Sequence, residues 1–287
     1  MKIGIGTAQF GMNYGITNQV GQVSNEEIQK IFLLANQANI HFIDTASGYG
    51  DSEKNLGNLI NVDEYNVVTK IPKLSIPKSS NDSSEGIKKN IQNSFSNLNA
   101  EKLYAVLFHD TEQLIENPHL WEKLLSVKNT LKIHKIGVSV YHPEQVEKLW
   151  SLQIFPELVQ CPYNIFDQRF ETTGLFEKMK SRNVEIHIRS IFLQGLLIAT
   201  NTGRLKLNPE LQFSLEAWDD FFVGKSYSKK DLCISFVKKN TFVDVMIVGV
   251  TSRIELEEIL FSKEIDLIDV SQFQNISERV INPSKWN

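Results

Sequence analysis

Short β-rich apolar runs alternate along the chain with longer segments whose apolar positions recur near i, i+3 and i+4, the pattern of a parallel sheet covered by helices. The runs predict strands over Lys2–Gly6, His41–Asp44, Asn66–Lys70, Leu103–Phe108, Ile133–Ser139, Leu158–Gln160, Val184–Arg189 and Val243–Val248. The periodic segments predict helices over Asn25–Gln37, Glu53–Leu59, Glu85–Leu98, Leu120–Ser126, Glu144–Leu152 and Leu175–Arg182. Ser24, Ser52 and Thr172 stand where N-caps belong, and Gly174 suits a turn. After the seventh strand the rhythm changes. Asn201–Gly224 and Ser228–Asn240 hold two helical stretches where one is expected, an insertion of the kind that forms a substrate-side loop. Lys73–Ser84, rich in Ser, Pro and Lys, reads as an exposed connection, and Asp269–Asn287 as a C-terminal tail packing back on the body.

Strands that each lead into a helix, joined by right-handed crossovers, close most simply into an α/β fold of the (β/α)8 TIM-barrel type. A single domain over 1–287 is expected, with the longer insertion after strand 7 and the C-terminal tail as its additions. The competing architecture is an open doubly wound sheet. Against it, the first strand-to-helix turn, Gly4-Ile5-Gly6-Thr7-Ala8-Gln9, puts Gln9 where a dinucleotide fingerprint needs its third glycine. Neither a Walker A pattern nor an H-E-x-x-H motif occurs.

Composition narrows the function. A chain of 287 residues with 41% hydrophobic and 22% charged residues can bury a sizeable core, which excludes disorder as the dominant state. With 30 Lys and Arg against 34 Asp and Glu and no basic run, an electrostatic footprint for nucleic acid is absent. Cys161 and Cys233, each in an apolar run, form neither a disulfide framework nor a zinc set, so a reduced, cytoplasmic setting is expected. The start, Met1-Lys2-Ile3-Gly4-Ile5-Gly6-Thr7, lacks a basic n-region with a long apolar core, and no apolar run approaches the roughly 18 residues of a span. Neither export by that route nor membrane contact is therefore expected.

In such a barrel the reactive groups sit where strands end at the C-terminal face. Asp44, Lys70 and His109 close successive apolar runs, and Tyr49 follows Asp44 on the glycine-flanked turn Thr45-Ala46-Ser47-Gly48-Tyr49-Gly50. Singly, each has a structural reading as a cap, a solvent-reaching amine or a packed imidazole. Together, an acid, a phenol, an amine and an imidazole converge on one mouth. A phenol has a reference pKa of about 10, and a nearby ammonium such as Lys70 would stabilise phenolate and lower that value. Asp44 would hold the ammonium, while a neutral His109 would hydrogen-bond and orient a carbonyl oxygen. Such a set donates a proton to a carbonyl oxygen. Since no side chain delivers hydride, a cofactor is implied.

The stretch Asp44-Thr-Ala-Ser-Gly-Tyr49-Gly-Asp-Ser-Glu53, then Thr69-Lys70, then Phe108-His109, resembles the aldo-keto reductases in order and rough interval, over nearly the whole chain. The resemblance implies a barrel binding NADPH/NADP+ in an extended pose, with Tyr49 as general acid, Asp44 and Lys70 tuning it and His109 orienting a small-molecule carbonyl substrate. It places Gly6, Thr7 and Ala8 at the nicotinamide ribose, and Ser139 and Gln160 on the carboxamide. Val140 stands where the family's usual Asn follows the serine. Ser190, Leu193, Gln194 and Gly195 would line the pyrophosphate. Arg189 stands where most members stack an aromatic on the nicotinamide; its guanidinium can stack but adds a charge. The adenine end falls on Gly249, Thr251, Ser252 and Arg253, whose backbone amides and side chains would suit a 2′-phosphate. There Glu255 replaces a basic or amide residue and Ile259 an Asn, which leaves NADH open as well. Phe10, Tyr14, Phe166, Phe192 and Trp286 are candidates for the substrate wall.

Gly6–Ile16 and the Asn282–Trp286 tail resemble a bacterial-type branch linked to carbohydrate metabolism, which brings sugar derivatives into the substrate range. Two other functions fit the same residues. One is a cofactor-binding sensor or regulatory subunit of this fold with little turnover. The other is a lyase using Lys70 as a Schiff-base amine, which requires Lys70 unpaired and is opposed by Asp44.

Overall fold

The computed structural model describes residues 1–75, 83–199, 207–266, 269–274 and 277–286. Eight parallel strands close in sequence order into a barrel: β1 (Lys2–Gly6), β2 (Phe42–Asp44), β3 (Asn66–Ile71), β4 (Leu103–Phe108), β5 (Ile133–Ser139), β6 (Leu158–Pro162), β7 (Glu185–Arg189) and β8 (Val245–Gly249). β8 pairs back onto β1, with Gly6 opposite Gly249, and this removes both sheet edges. The expected (β/α)8 TIM barrel is thus present, each strand within two residues of its predicted bounds.

Alternation along the strands divides two cores. Outward residues such as Ile43, Val67, Val106, Val159 and Ile186 join the helices in the main apolar cluster. Val68, Ala105, Leu107 and Leu158, with Phe42, Val245 and Ile247, form two small clusters that fill the barrel. The N-terminal floor is polar: Glu185 accepts from Tyr104 Oη at 2.6 Å and pairs with His187 Nε2 at 2.7 Å and with Lys135. Burial works against the Glu185 charge, but hydrogen bonds from His187, Lys135 and Tyr104 overcome it and hold the carboxyl down at about 2.

The helix Asn25–Gln37 is capped by Ser24, whose side chain accepts from the Glu27 amide. The other two expected caps differ. Asp51 occupies the cap position of Ser52–Leu59, because Ser52 is drawn inward to donate to the Thr7 carbonyl at 2.9 Å. Thr172 ends a short helix, Arg169–Thr172, and Gly174, with φ 68°, precedes Leu175–Ser181. Thr111–Glu116, Ala8–Gly11 and Glu278–Ile281 are helical turns too short for periodicity to register.

The insertion after β7 contains the helices Pro209–Phe221 and Lys229–Lys238. Residues 201–206 of the expected first stretch, 76–82 of the Ser/Pro/Lys-rich connection, and 275–276 and 287 of the tail lie outside the described residues. The insertion and the tail share a second apolar cluster, in which Trp218, Leu211 and Leu215 meet Phe166, Phe273, Val280, Ile281 and Trp286. The tail packs back on the body, as expected. No helix among the described residues is long and apolar enough to cross a membrane.

Trp218 is fully buried and its Nε1 donates to the Leu197 carbonyl at 2.8 Å, so it anchors the insertion to the β7 loop. Trp218→Ala is expected to cost about 3–5 kcal/mol in urea unfolding; a loss under about 1 kcal/mol would show that the insertion is held elsewhere.

Candidate active site

At the C-terminal mouth, Asp44 ends β2 and Lys70 stands one residue before the end of β3; they are 4% and 1% exposed. Lys70 Nζ lies 2.7 and 2.8 Å from the two Asp44 oxygens and donates to the Thr45 carbonyl at 2.9 Å. All three ammonium donors therefore have acceptors. From across the barrel, Gln160 on β6 donates its Nε2 to Asp44 Oδ1 at 2.7 Å. The Asp44 carbonyl accepts from both the amide and the hydroxyl of Thr7, each at 3.0 Å. A buried ion pair is tolerated only when such bonds satisfy it.

Tyr49 is placed by backbone crowding. A Cβ on Gly11 would stand 1.9 Å from the Tyr49 carbonyl, and one on Gly50, at φ +57°, would stand 2.2 Å from the Gly11 carbonyl. Only glycines allow this crossing of the β1 and β2 loops. The crossing sets the Tyr49 ring over Lys70, with Nζ 5.0 Å from the ring centroid, and edge-to-face with His109 at 5.7 Å. Sequence, burial and topology thus bring all four predicted residues, Asp44, Tyr49, Lys70 and His109, to one mouth.

The electrostatics differ from expectation at one point. Burial, and then the Asp44 charge, push the Tyr49 phenol well above its ordinary value, with Arg189 opposing. Lys70 was expected to lower it, but its charge is offset by the carboxylate that holds it, so the neighbouring pair gives the phenol little net positive field. Burial depresses the Lys70 ammonium while Asp44 works the other way. His109 is lowered to about 4 by burial and by Lys70 and Arg189, so its imidazole is neutral at pH 7, as expected.

The predicted cofactor residues divide. Ser139 and Gln160 face each other in the β5–β6 register, and Gln160 Oε1 is buried without a partner. An orphaned buried acceptor fits a carboxamide NH2. Gly6 ends β1 and Ala8 opens the turn beyond it, but the Thr7 hydroxyl is fully buried and engaged with Asp44 and Ser52, so it does not face the mouth. Arg189 ends β7 with its guanidinium over the Tyr141 ring at 4.4 Å and one donor on the Val140 carbonyl at 3.0 Å. In the β7 loop, Ser190, Leu193, Gln194 and Gly195 all have positive φ, and Leu193 is buried in the second cluster. Gln194 accepts from the Thr17 hydroxyl at 2.9 Å and from the Ile16 amide at 3.2 Å, which ties this loop to the β1 loop.

At the β8 end, Gly249, Thr251, Ser252 and Arg253 lead into Arg253–Leu260 as expected. Two of these amides are engaged, Thr251 donating to Glu255 Oε2 at 2.6 Å and Arg253 to Glu27 Oε1 at 2.7 Å, and the Glu255 amide beyond them donates to Ser252 Oγ at 3.2 Å. Two of the backbone donors expected for a 2′-phosphate, those of Thr251 and Arg253, are thus already accepted by this chain's own carboxylates.

Three wall candidates are core residues instead. Phe10, Phe166 and Trp286 are 0, 1 and 2% exposed and pack into the two main clusters. Tyr14 is exposed at the mouth, and Phe192 is partly buried. Sequence reading missed Tyr141, the stacking partner of Arg189, and Arg169, which donates to the Tyr141 carbonyl at 2.9 Å and pairs with Asp167 and the tail's Glu278. Tyr141 was signalled only by its place two residues after Ser139. Arg169 carried no site signal, because beyond the neighbouring Asp167 its partners, Tyr141 and Glu278, come from a separate loop and the tail. Tyr141 and Arg169 border a shallow surface cleft that Arg189, Ser190, Ile281 and Pro283 also line. Among the described residues no cluster of His, Cys, Asp and Glu suits a metal ion.

A closed barrel whose C-terminal mouth carries a phenol, an imidazole and a buried ammonium–carboxylate pair is that of a barrel enzyme. The chain matches the model of the Aldo/keto reductase family over residues 2–281 and belongs to that family, which makes it an oxidoreductase of the carbonyl-reducing type. Among solved structures it is similar to AKR11C1, an aldo-keto reductase from Bacillus halodurans in its holo form, at 15% identity and TM-score 0.75, covering 99% of this chain and 95% of that one. It is also similar to a Pseudomonas aeruginosa protein provisionally assigned as an aldo-keto reductase, at 18% identity and TM-score 0.66, covering 90% and 87%. No curated protein matches it by sequence.

His109 should titrate near pH 4 in the folded protein against about 6.5 unfolded. Below about 6.5 the unfolded chain binds a proton that the folded site refuses, so this group's contribution is present above that pH and is lost as pH falls toward 4. NMR titration of the His109 ring checks it, and a value near 6.5 would mean that the mouth is open to water.

Proposed function

We propose that the chain is a nicotinamide-dependent carbonyl reductase in which Tyr49 protonates the oxygen of an aldehyde or ketone of small-metabolite size, sugar derivatives included. The observation that carries this reading is the buried, fully bonded Lys70–Asp44 pair beneath the Tyr49 ring. Bound nicotinamide would supply the hydride, and the orphaned Gln160 Oε1, with Ser139 beside it, fits its carboxamide.

Tyr49 has the properties of a proton donor. Its raised pKa keeps the hydroxyl protonated through neutral pH, while a developing alkoxide is a stronger base still and draws the proton as the transition state forms. Lys70 holds Asp44 and thereby limits the negative field that otherwise pushes the phenol further up. The neutral His109 ring, edge-on to Tyr49, can donate one hydrogen bond to the same oxygen and fix its direction. A Schiff-base role for Lys70 does not suit this arrangement, because an ammonium with three acceptors is no nucleophile. A sensor with little turnover needs none of these proton-transfer groups.

Tyr49→Phe should lower turnover on a panel of aldehydes and ketones by on the order of 10² or more while leaving nicotinamide binding nearly intact; retained turnover would remove Tyr49 from the role. Lys70→Met should cost about 3–5 kcal/mol of stability by leaving Asp44 buried and unpaired. Adding Asp44→Asn should restore part of that stability in urea unfolding but none of the rate. A double variant as active as wild type would show the pair to be structural only.

A further inference from the structure

Ser139 and the orphaned Gln160 Oε1 would hold the carboxamide end of a nicotinamide dinucleotide at β5 and β6. Barrel enzymes commonly seat phosphate groups at the loops after strands 7 and 8, against the N-terminus of a following helix. Here that place is Gly249–Ser252 running into the helix Arg253–Leu260. Whether it accepts a 2′-phosphate depends on its free donors and its local charge.

Both are unfavourable. The Thr251 amide is accepted by Glu255 at 2.6 Å and the Arg253 amide by Glu27 at 2.7 Å, so two carboxylates stand where a phosphate would need to be. Among the described residues, the cations at this rim are paired within the protein. Arg253 Nη2 lies 3.3 Å from Glu257, Lys30 lies 2.8 Å from Glu26 and 3.7 Å from Glu27, and Lys230 lies 2.7 Å from Glu258. A 2′-phosphate carries about −1.5 to −2 charges at neutral pH. To bind, it would have to displace two carboxylates from their amides and remain beside them, while the described lysines and arginines at this rim are already held by carboxylates of their own. A ribose bearing a free 2′-hydroxyl makes the opposite demand, because a hydroxyl donates to a carboxylate, and acidic residues serve that role in dinucleotide sites.

We propose that this chain discriminates against the 2′-phosphate and uses NADH, with Glu255 and Glu27 as the discriminating residues. The inference rests on the nicotinamide-dependent reading above and assigns the cofactor class within it. Glu255 excludes phosphate directly from the first turn of the helix. Glu27, reaching from the helix Asn25–Gln37, closes the remaining side and ties the two helices together at that rim.

Equilibrium titration of the purified protein with NADH and, separately, NADPH, followed by nicotinamide fluorescence at fixed ionic strength, tests this without turnover. Wild type should bind NADH at least about tenfold more tightly than NADPH. Glu255→Gln should narrow the ratio, and Glu27→Gln combined with Glu255→Gln should narrow it further, mainly by tightening NADPH and with a weaker dependence on salt. A wild-type protein that binds NADPH as tightly as NADH, or a double variant with an unchanged ratio, would overturn the proposal while leaving the reductase reading in place. Binding of neither dinucleotide would overturn both.

Discussion

The mouth of this barrel is organised by one carboxylate. Asp44 accepts two hydrogen bonds from Lys70 and one from Gln160, and its backbone carbonyl accepts two more from Thr7. These contacts draw β1, β2, β3 and β6 to a single point at the C-terminal end of the barrel. The desolvation cost of burying such a pair is several kcal/mol per ion, so it persists only because each oxygen and each ammonium hydrogen is matched. The matching also sets the chemistry. With Lys70 neutralised by Asp44, the phenol above it stays protonated, and Gln160, with its nitrogen committed to Asp44, has its oxygen left to offer.

The order of elements and the four residues at the mouth were legible in the sequence. Alternating apolar runs and strand-end polar residues are local signals, and in a closed barrel local order is spatial order. The sign of the Tyr49 shift was not legible, because it depends on how completely Asp44 offsets Lys70, a distance that spacing does not contain. Ser52 and Thr7 show the same limit. Each sits where a cap or a ligand contact belongs, and each is instead drawn into a buried hydrogen-bond chain between two loops.

The aromatics show the limit from the other side. Phe166 and Trp286 pack into a core because the insertion and the tail need a hydrophobic seat of their own, and Phe10 joins the main cluster edge-to-face with Phe32. Tyr141 and Arg169, which shape the cleft beside Arg189, depend on contacts among the loops after β5, β6 and β7 and on the tail. Glu255 was visible as a departure from the resemblance. The second carboxylate was not, since Glu27 lies more than two hundred positions away and meets Arg253 only because closing the barrel sets the helices Asn25–Gln37 and Arg253–Leu260 side by side.

The proposed mechanism requires this mouth to couple hydride delivery to a carbonyl carbon with proton donation to its oxygen. Incubating the protein with dinucleotide deuterated at the transferable hydride position and an aldehyde, then locating the label in the alcohol by mass spectrometry and NMR, tests it directly. One deuterium is expected on the carbinol carbon, delivered to a single enantiotopic face. Bound dinucleotide with no label transferred to any aldehyde or ketone tried would contradict it.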